Sequence, residues 1–238
     1  MKKILITGCT KGLGYALTLE FAKRGFYVFS VGRDSKKLNE LASLSSRIEV
    51  ICADIATSCG RNLIVNAIKN DSISIIHNAA ILYPEQFARM AEDSFRLQHE
   101  VNYLAPLLLT QQLLPVLKGQ RVLHISSGAA EIALPGLLPY CVTKAAVEKA
   151  VNCLNAELNP QEIYFSSLRP GMIDTPMQLQ LRTSNNKDLP GRQFYIDAKQ
   201  LNQLVSPEKV AEFVFFVMAK TENKIFTDSS WRYPDCTS

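Results

Sequence analysis

The 238-residue sequence predicts an α/β fold of the Rossmann type: a doubly wound parallel sheet with helices on both faces, in three layers α/β/α. Three observations predict it. Short β-branched or aromatic runs alternate along the chain with longer segments of helical period. The first such run ends in a glycine-rich turn that opens a helix. No stretch has the composition of a linker, so residues 1–238 are expected to form one domain.

The elements follow in order. The first strand is expected over Lys3–Thr7 and the helix after the glycine turn over Leu13–Arg24. A second strand, Tyr27–Gly32, precedes a helix over Ser35–Ser43, for which Asp34 supplies an N-cap carboxylate. Arg47–Ala53 and Ile73–His77 are strands on either side of a helix over Cys59–Lys69. A long helix spans Glu92–Leu117, and Pro106 and Pro115, each lacking an amide donor, should bend or end it. Strands over Arg121–Ser126 and Ile163–Leu168 enclose a helix over Tyr140–Leu158. The segment from 178 to 205 is polar, carries Pro190 and Gly191 and fits neither period; residues from about 177 to 205 are expected to form a substrate lid. A helix over Pro207–Ala219 and a strand over Lys224–Thr227 complete the chain.

Composition excludes several function classes. Hydrophobic residues make up 47% and charged residues 20%, an ordinary globular balance without the signature of disorder. The net charge is +4, and the basic residues are scattered, which argues against a nucleic-acid partner and leaves room for a phosphorylated cofactor. The six cysteines (Cys9, Cys52, Cys59, Cys141, Cys153, Cys236) contain no CxxC pair, and His77, His99 and His124 sit within or beside apolar segments, so no metal site is expected. The apolar run after Met1-Lys2-Lys3 is too short for a signal peptide, and no segment is long enough to span a bilayer. A cytoplasmic protein with no membrane partner is expected.

The residues that carry chemistry lie at the ends of the strands. Gly8, Gly12 and Gly14 form a G-x-x-x-G-x-G turn that brings backbone amides and a helix dipole towards a phosphate. Gly8 permits the tight turn, Gly12 allows backbone to approach pyrophosphate, and Gly14 lets helix pack on strand. The second strand ends at Gly32, where an acidic residue would bind ribose hydroxyls, and Arg33 follows it. With Lys11 in the glycine loop, two cations and no carboxylate suit a ribose 2′-phosphate. Further on, Tyr140 and Lys144 stand four apart and so project from one helix face. An ammonium beside a phenol favours the phenolate, so the tyrosine's pKa is expected to fall. Ser127 supplies a hydroxyl that could hold a substrate oxygen beside that phenol.

With these motifs the chain resembles the short-chain dehydrogenase/reductase family, from Lys3 to about Pro176 and more loosely through the last helix. The resemblance is carried by Thr7-Gly8-x-x-x-Gly12-x-Gly14, Asp54-Ile55, Asn78-Ala79-Ala80, Asn102, Ser127, Tyr140-x-x-x-Lys144 and Arg169-Pro170-Gly171, in the family's order. It implies that Asp54 binds the adenine amino group and that Asn78-Ala79-Ala80 supports the sheet beside the adenosine. Ser127 would orient the substrate carbonyl, Tyr140 would be the acid or base, and Lys144 would bind the nicotinamide ribose. Asn102 would hold a water in a proton relay. Pro170, Gly171 and Thr175 would line the nicotinamide. The cofactor-binding set is completed by Thr10, Leu13, Ile55 and Ile173. Ser127, rather than the adjacent Ser126, stands at the family's usual thirteen residues before Tyr140. Ala80 where a glycine is usual, Cys141 after the tyrosine, and a C-terminus without Asp-Gly-Gly depart from the pattern. The C-terminus is closer to the carbonyl-reductase and sepiapterin-reductase-like members.

The implied function is an NADP(H)-dependent oxidoreductase acting on a small carbonyl or alcohol substrate. The alternative is a non-catalytic NADP(H)-sensing regulator on the same fold. Residues around 82–90, 128–138 and 172–205 would choose the substrate. Leu107-Leu108-Leu109 and Leu113-Leu114 exceed one sheet-facing stripe, so a homodimer pairing the helices Glu92–Leu117 and Tyr140–Leu158 is expected.

Overall fold

The computed structural model describes residues 1–68, 71–228 and 231–233; Lys69, at the end of one expected helix, and Cys236 lie outside the described residues. The elements run β1 (Lys3–Thr7), α1 (Gly12–Lys23), β2 (Tyr27–Gly32), α2 (Ser35–Ala42), β3 (Ile48–Cys52), α3 (Ser58–Ile68) and β4 (Ser74–His77). They continue with α4 (Glu92–His99), α5 (Ala105–Leu113), β5 (Arg121–Ile125), α6 (Leu138–Leu158), β6 (Tyr164–Arg169), α7 (Pro176–Thr183), α8 (Arg192–Gln200), α9 (Pro207–Lys220), α10 (Asn223–Asp228) and β7 (Trp231–Arg232). All pairings are parallel, in the order β3-β2-β1-β4-β5-β6-β7. The order reverses between β1 and β4, and at such a switch point the loops leave a crevice beyond the strands' carboxyl ends. Both faces of the central strands are buried. On one side Phe21 of α1 meets Phe215 of α9 with ring centroids 5.4 Å apart; on the other, Ile64, Leu109 and Val151 of α3, α5 and α6 join one apolar cluster.

Two expectations change, and the expected break of the long helix is located. Lys224–Thr227 is helical, within α10, and the seventh strand is Trp231–Arg232, paired with Leu168 and Arg169. Within the expected strand Phe226 is fully buried and packs under the Arg121 guanidinium at 4.9 Å, while Ile225 is about half exposed. That local packing, with α10 spending the chain before it reaches the edge of β6, overrides β propensity. The long helix is divided: a π-helical turn, Glu100–Leu104, joins α4 to α5, and Leu114–Val116 is a 3-10 turn around Pro115. Pro106 has no amide to give the carbonyl four residues back, at Asn102, so the ladder widens there. Residues 178–205 are not without helical period, since they contain most of α7 and all of α8. Their buried stripe is short and mixed (Gln178, Leu181, Tyr195, Ala198), which hides it from a hydrophobic period.

Two histidines face each other inside the sheet layer. His77 and His124 are register partners on β4 and β5, with ring centroids 4.6 Å apart, and His77 Nε2 lies 2.8 Å from Thr110 Oγ1. Burial pushes His124 down to about 3 and holds His77 well below its ordinary 6.5. Both are therefore neutral in the folded protein, while the unfolded chain takes up their protons below pH 6.5. Stability is fully present above that pH and is lost as pH falls towards the folded values, by up to about 1.4 kcal/mol per pH unit for each histidine. Denaturant unfolding between pH 7 and pH 5 should show this slope, and His124→Leu should remove about half of it. An equal slope in parent and variant would refute the assignment.

Candidate active site

The cradle at the switch point is built from backbone. Gly8 and Gly12 have φ of +76° and +57°, conformations that side chains rarely adopt. Gly14 needs its missing Cβ for another reason: a Cβ there would lie 2.1 Å from the Gly8 carbonyl oxygen. Asn78, just past β4, locks the turn by donating from Nδ2 to the carbonyls of Thr7 (2.9 Å) and Gly8 (3.2 Å). The Thr7 hydroxyl in turn accepts from the amides of Asn78 and Ala79, both at 3.1 Å. Lys11 precedes α1 with no side-chain cap bond, and the first turn of α1 holds no acidic residue. Its leading amides thus lack a side-chain acceptor and present the positive end of the helix dipole to an anion. Bare glycines, uncapped amides and a cavity of about 500 Å³ in front of them fit a dinucleotide pyrophosphate.

At the end of β2, Asp34 caps α2 as expected, accepting from the Lys37 amide at 3.1 Å. Arg33 is largely exposed at the cavity rim, its guanidinium 3.5 Å from Asp54 Oδ2. The other Asp54 oxygen accepts from the Ala56 amide at 3.0 Å. Contrary to the expectation from the local sequence, the two cations are therefore not without a carboxylate: Asp54, distant in sequence, stands beside Arg33. Lys11, Arg33, Asp34, Lys37 and Asp54 all line this end of the cavity, as do Thr10, Leu13, Ile55, Asn78, Ala79 and Ala80; Gly14 packs behind the loop.

The opposite wall carries Ser127, Tyr140 and Lys144; Pro170, Gly171 and Ile173 also line the cavity, and Thr175 lies against the cradle, its Cγ2 3.2 Å from where a Cβ on Gly12 would stand. Tyr140 and Lys144 lie one turn apart on α6, and Lys144 Nζ is 5.6 Å from the Tyr140 ring centroid. Lys144 is buried and donates to the Ile125 carbonyl at 2.7 Å; burial pushes it down to about 8, against the pull of Glu148. Burial pushes the Tyr140 phenol up to about 12, opposed by a hydrogen bond with Ser127. The expected fall of this pKa is therefore corrected: in the protein alone, desolvation outweighs the Ser127 hydrogen bond that opposes it. Tyr140 is a phenol near neutral pH.

Asn102 does not line the cavity. It sits in the π turn, where its amide clasps the backbone of Ile81, accepting from the amide and donating to the carbonyl, both at 2.8 Å. Behind the wall lies a network that spacing did not single out. Glu148, one turn beyond Lys144, accepts from Ser126 Oγ at 2.6 Å and from Arg169 Nε at 2.7 Å, and Arg169 also pairs with Glu131. Ser126 is thereby engaged with Glu148, while the Ser127 hydroxyl accepts from the Ala129 amide at 3.2 Å and opposes the rise of the Tyr140 pKa. The i, i+4, i+8 row of Tyr140, Lys144 and Glu148 was the available signal.

The three segments expected to choose the substrate do converge. Leu82, Leu137, Leu181, Leu189 and Tyr195 form an apolar cluster with Leu134, Tyr140, Cys141 and Met177 against it. Hydrogen bonds tie the 177–205 segment to its neighbours, Gln180 Nε2 to the Leu82 carbonyl at 2.8 Å and Arg89 to Asp188 at 2.9 Å, and join its two helices, Gln178 Nε2 to the Tyr195 carbonyl at 3.1 Å. Among the described residues no group of three His, Cys, Asp or Glu could hold a metal ion, and no helix is long and apolar enough to cross a membrane.

The family model described as short chain dehydrogenase matches residues 2–186. The chain belongs to the short-chain dehydrogenase/reductase family. It is an oxidoreductase that uses a nicotinamide cofactor. Among the relatives of this dehydrogenase/reductase is the benzil reductase ((S)-benzoin forming) of Bacillus cereus, 31% identical over 232 residues, covering 90% of this chain and 92% of the relative. The L-xylulose reductase of Mesocricetus auratus is 24% identical over 226 residues, covering 93% and 91%. The crystal structure of the KRED1-Pglu enzyme shares the fold with a TM-score of 0.90, at 24% identity over 98% of this chain and 100% of that one. So does a 3-ketoacyl-(acyl-carrier-protein) reductase from Brucella melitensis complexed with NADH, with a TM-score of 0.83 at 23% identity over 99% and 98%.

Proposed function

We propose that this chain is an NADP(H)-dependent carbonyl reductase in which Tyr140 is the general acid. One observation carries the reading: Ser127, Tyr140 and Lys144 share the cavity wall facing a glycine cradle with uncapped helix amides. The pyrophosphate would lie against Gly8, Thr10 and Gly12, and the nicotinamide against Pro170, Gly171, Ile173 and Thr175. When bound, the nicotinamide supplies the hydride that reaches the carbonyl carbon. Ser127 donates a hydrogen bond to the carbonyl oxygen, and Tyr140 gives that oxygen its proton as the alkoxide forms. The phenol's raised pKa keeps the proton available before reaction. Lys144, held by Ile125, then stabilises the phenolate left behind. Asn102 fixes the Ile81 backbone beside the cavity and acts through that loop. Relatives named as reductases of benzil and of L-xylulose support a carbonyl substrate and differ in what surrounds it. A non-catalytic NADP(H) sensor would have no need for all three wall residues to face the cavity. A cytoplasmic site of action is part of the same reading, supported by the free cysteines among the described residues.

The preference for NADPH rests on Arg33 and Lys11 at the adenosine end. A charge-assisted hydrogen bond to the 2′-phosphate contributes roughly 1.5 kcal/mol at an exposed position, or about tenfold in affinity. A carboxylate at position 32 is a poor test, because a Cβ on Gly32 would lie 2.6 Å from Thr10 Cγ2. Arg33→Ala is the clean variant: NADPH affinity should fall about tenfold while NADH affinity changes less than twofold. Parent protein that binds NADH as tightly as NADPH would leave the cofactor reading without support.

A homodimer belongs to the same proposal. Leu97 on α4, Leu104 in the π turn, Leu108 on α5 and Val142 on α6 are exposed apolar residues on the helices expected to pair. Sedimentation at micromolar concentration should give twice the chain mass, and a monomer would remove this part of the reading.

A further inference from the structure

The charges of the cavity are divided between its two ends. Lys11, Arg33, Asp34, Lys37 and Asp54 line the adenosine end. Beyond Tyr140 the lining consists of Leu82, Ala129, Leu134, Leu137, Met177 and Leu181, with Tyr195 and the amide of Gln178. Lys144 stands between the two ends and spends a hydrogen bond on the Ile125 carbonyl. The Gln178 amide is likewise engaged, with the Tyr195 carbonyl.

The lid contains basic residues, yet none of them lines the cavity. Arg182 reaches Gln178 Oε1 and Asp174, Lys199 pairs with Asp174 at 2.6 Å, and Arg192 donates to the Ser184 carbonyl at 3.1 Å. Arg89, from the facing loop, is bound to Asp188 and the Lys187 carbonyl. The lid also sits tightly on the wall: a Cβ at Gly136 would lie 2.1 Å from the Asp188 carbonyl oxygen. An anion placed against this wall would lose its water and find no cation, and a hydroxylated chain would find few free partners.

We infer that the substrate is an uncharged carbonyl compound whose substituents are apolar, aryl or alkyl, and that carboxylated, phosphorylated and polyhydroxylated carbonyl compounds are rejected. The inference rests on the reading of the site as a carbonyl reductase and names its substrate class. The wall accepts apolar area from the substrate, and its side-chain hydroxyls are those of Ser127 and Tyr140 at the reacting oxygen and of Tyr195 on the lid. Selection therefore works through desolvation, and a charged substituent is excluded without a repelling group.

The test compares three ketones with the parent enzyme and saturating NADPH: 1-phenyl-1,2-propanedione, the same diketone carrying a para-carboxylate, and erythrulose. The first two present the same reacting group and differ in one charge; the third is uncharged but polar. Expected kcat/KM for the uncharged diketone exceeds that of each of the others by about 100-fold or more. Turnover of the carboxylate or of erythrulose within threefold of the diketone overturns the substrate class and leaves the reductase reading standing. If NADPH binds but none of the three ketones is reduced, the reductase reading fails and the inference falls with it.

Discussion

Tyr140→Phe should reduce kcat by about 10²–10⁴-fold, the usual contribution of a positioned general acid, while leaving NADPH affinity within twofold of the parent. The substitution removes one oxygen. The ring keeps its place against Leu82, Leu137 and Tyr195, and Lys144 keeps its bond to Ile125. What disappears is the proton that the raised pKa holds on the phenol, together with its hydrogen bond to Ser127. Steady-state NADPH oxidation, a cofactor titration and a thermal melt on the same preparation separate catalysis from binding and folding. Turnover within a factor of two of the parent would show that another group delivers the proton, and the mechanism proposed for Tyr140 would have to be abandoned.

Gly14→Ala should damage the protein more broadly. The new Cβ would meet the Gly8 carbonyl oxygen at 2.1 Å and Asn78 Nδ2 at 2.5 Å. The oxygen is backbone and cannot swing aside, and moving Asn78 would release its bonds to Thr7 and Gly8. Overpacking of this kind typically costs about 1–3 kcal/mol, and a clash with backbone puts this case at the upper end. Because the displaced atoms are the cradle itself, NADPH binding should be lost even where the fold survives. Gly25→Ala is the control. Gly25 has a φ of +88° but nothing within 4 Å of an added Cβ, so it should cost about 1–2 kcal/mol through backbone conformation alone and leave the cofactor bound. Denaturant midpoints and NADPH titrations decide between the two. Intact cofactor binding in Gly14→Ala would contradict the role given to this glycine.

Much of this was legible before the fold was known, because it is local. The spacing of Gly8, Gly12 and Gly14 encodes a strand-to-helix turn, and the four-residue step from Tyr140 to Lys144 encodes a shared helix face. Alternating short and long periods announced the parallel sheet, and Asp34 announced the start of α2. At the C-terminus, where expectation and structure parted, residues distant in sequence had intervened. The edge of β6 selected Trp231–Arg232 over the Lys224–Thr227 run, while Pro106 broke its helix as expected, at the π turn that holds Asn102.

The sequence by itself thus determined the sheet, the glycine turn and the pairing of Tyr140 with Lys144, since each is written in residues that are neighbours in the chain or one helical turn apart. Only the tertiary structure decided the electrostatics and the apolar wall. Desolvation raised the Tyr140 pKa where a local reading of Lys144 predicted a fall, because burial depends on every segment packed around the phenol. Arg33 met Asp54 across the end of the sheet. The apolar wall gathers Leu82, Leu134, Leu181 and Tyr195 from three segments with no common period, and only folding brings them to one surface.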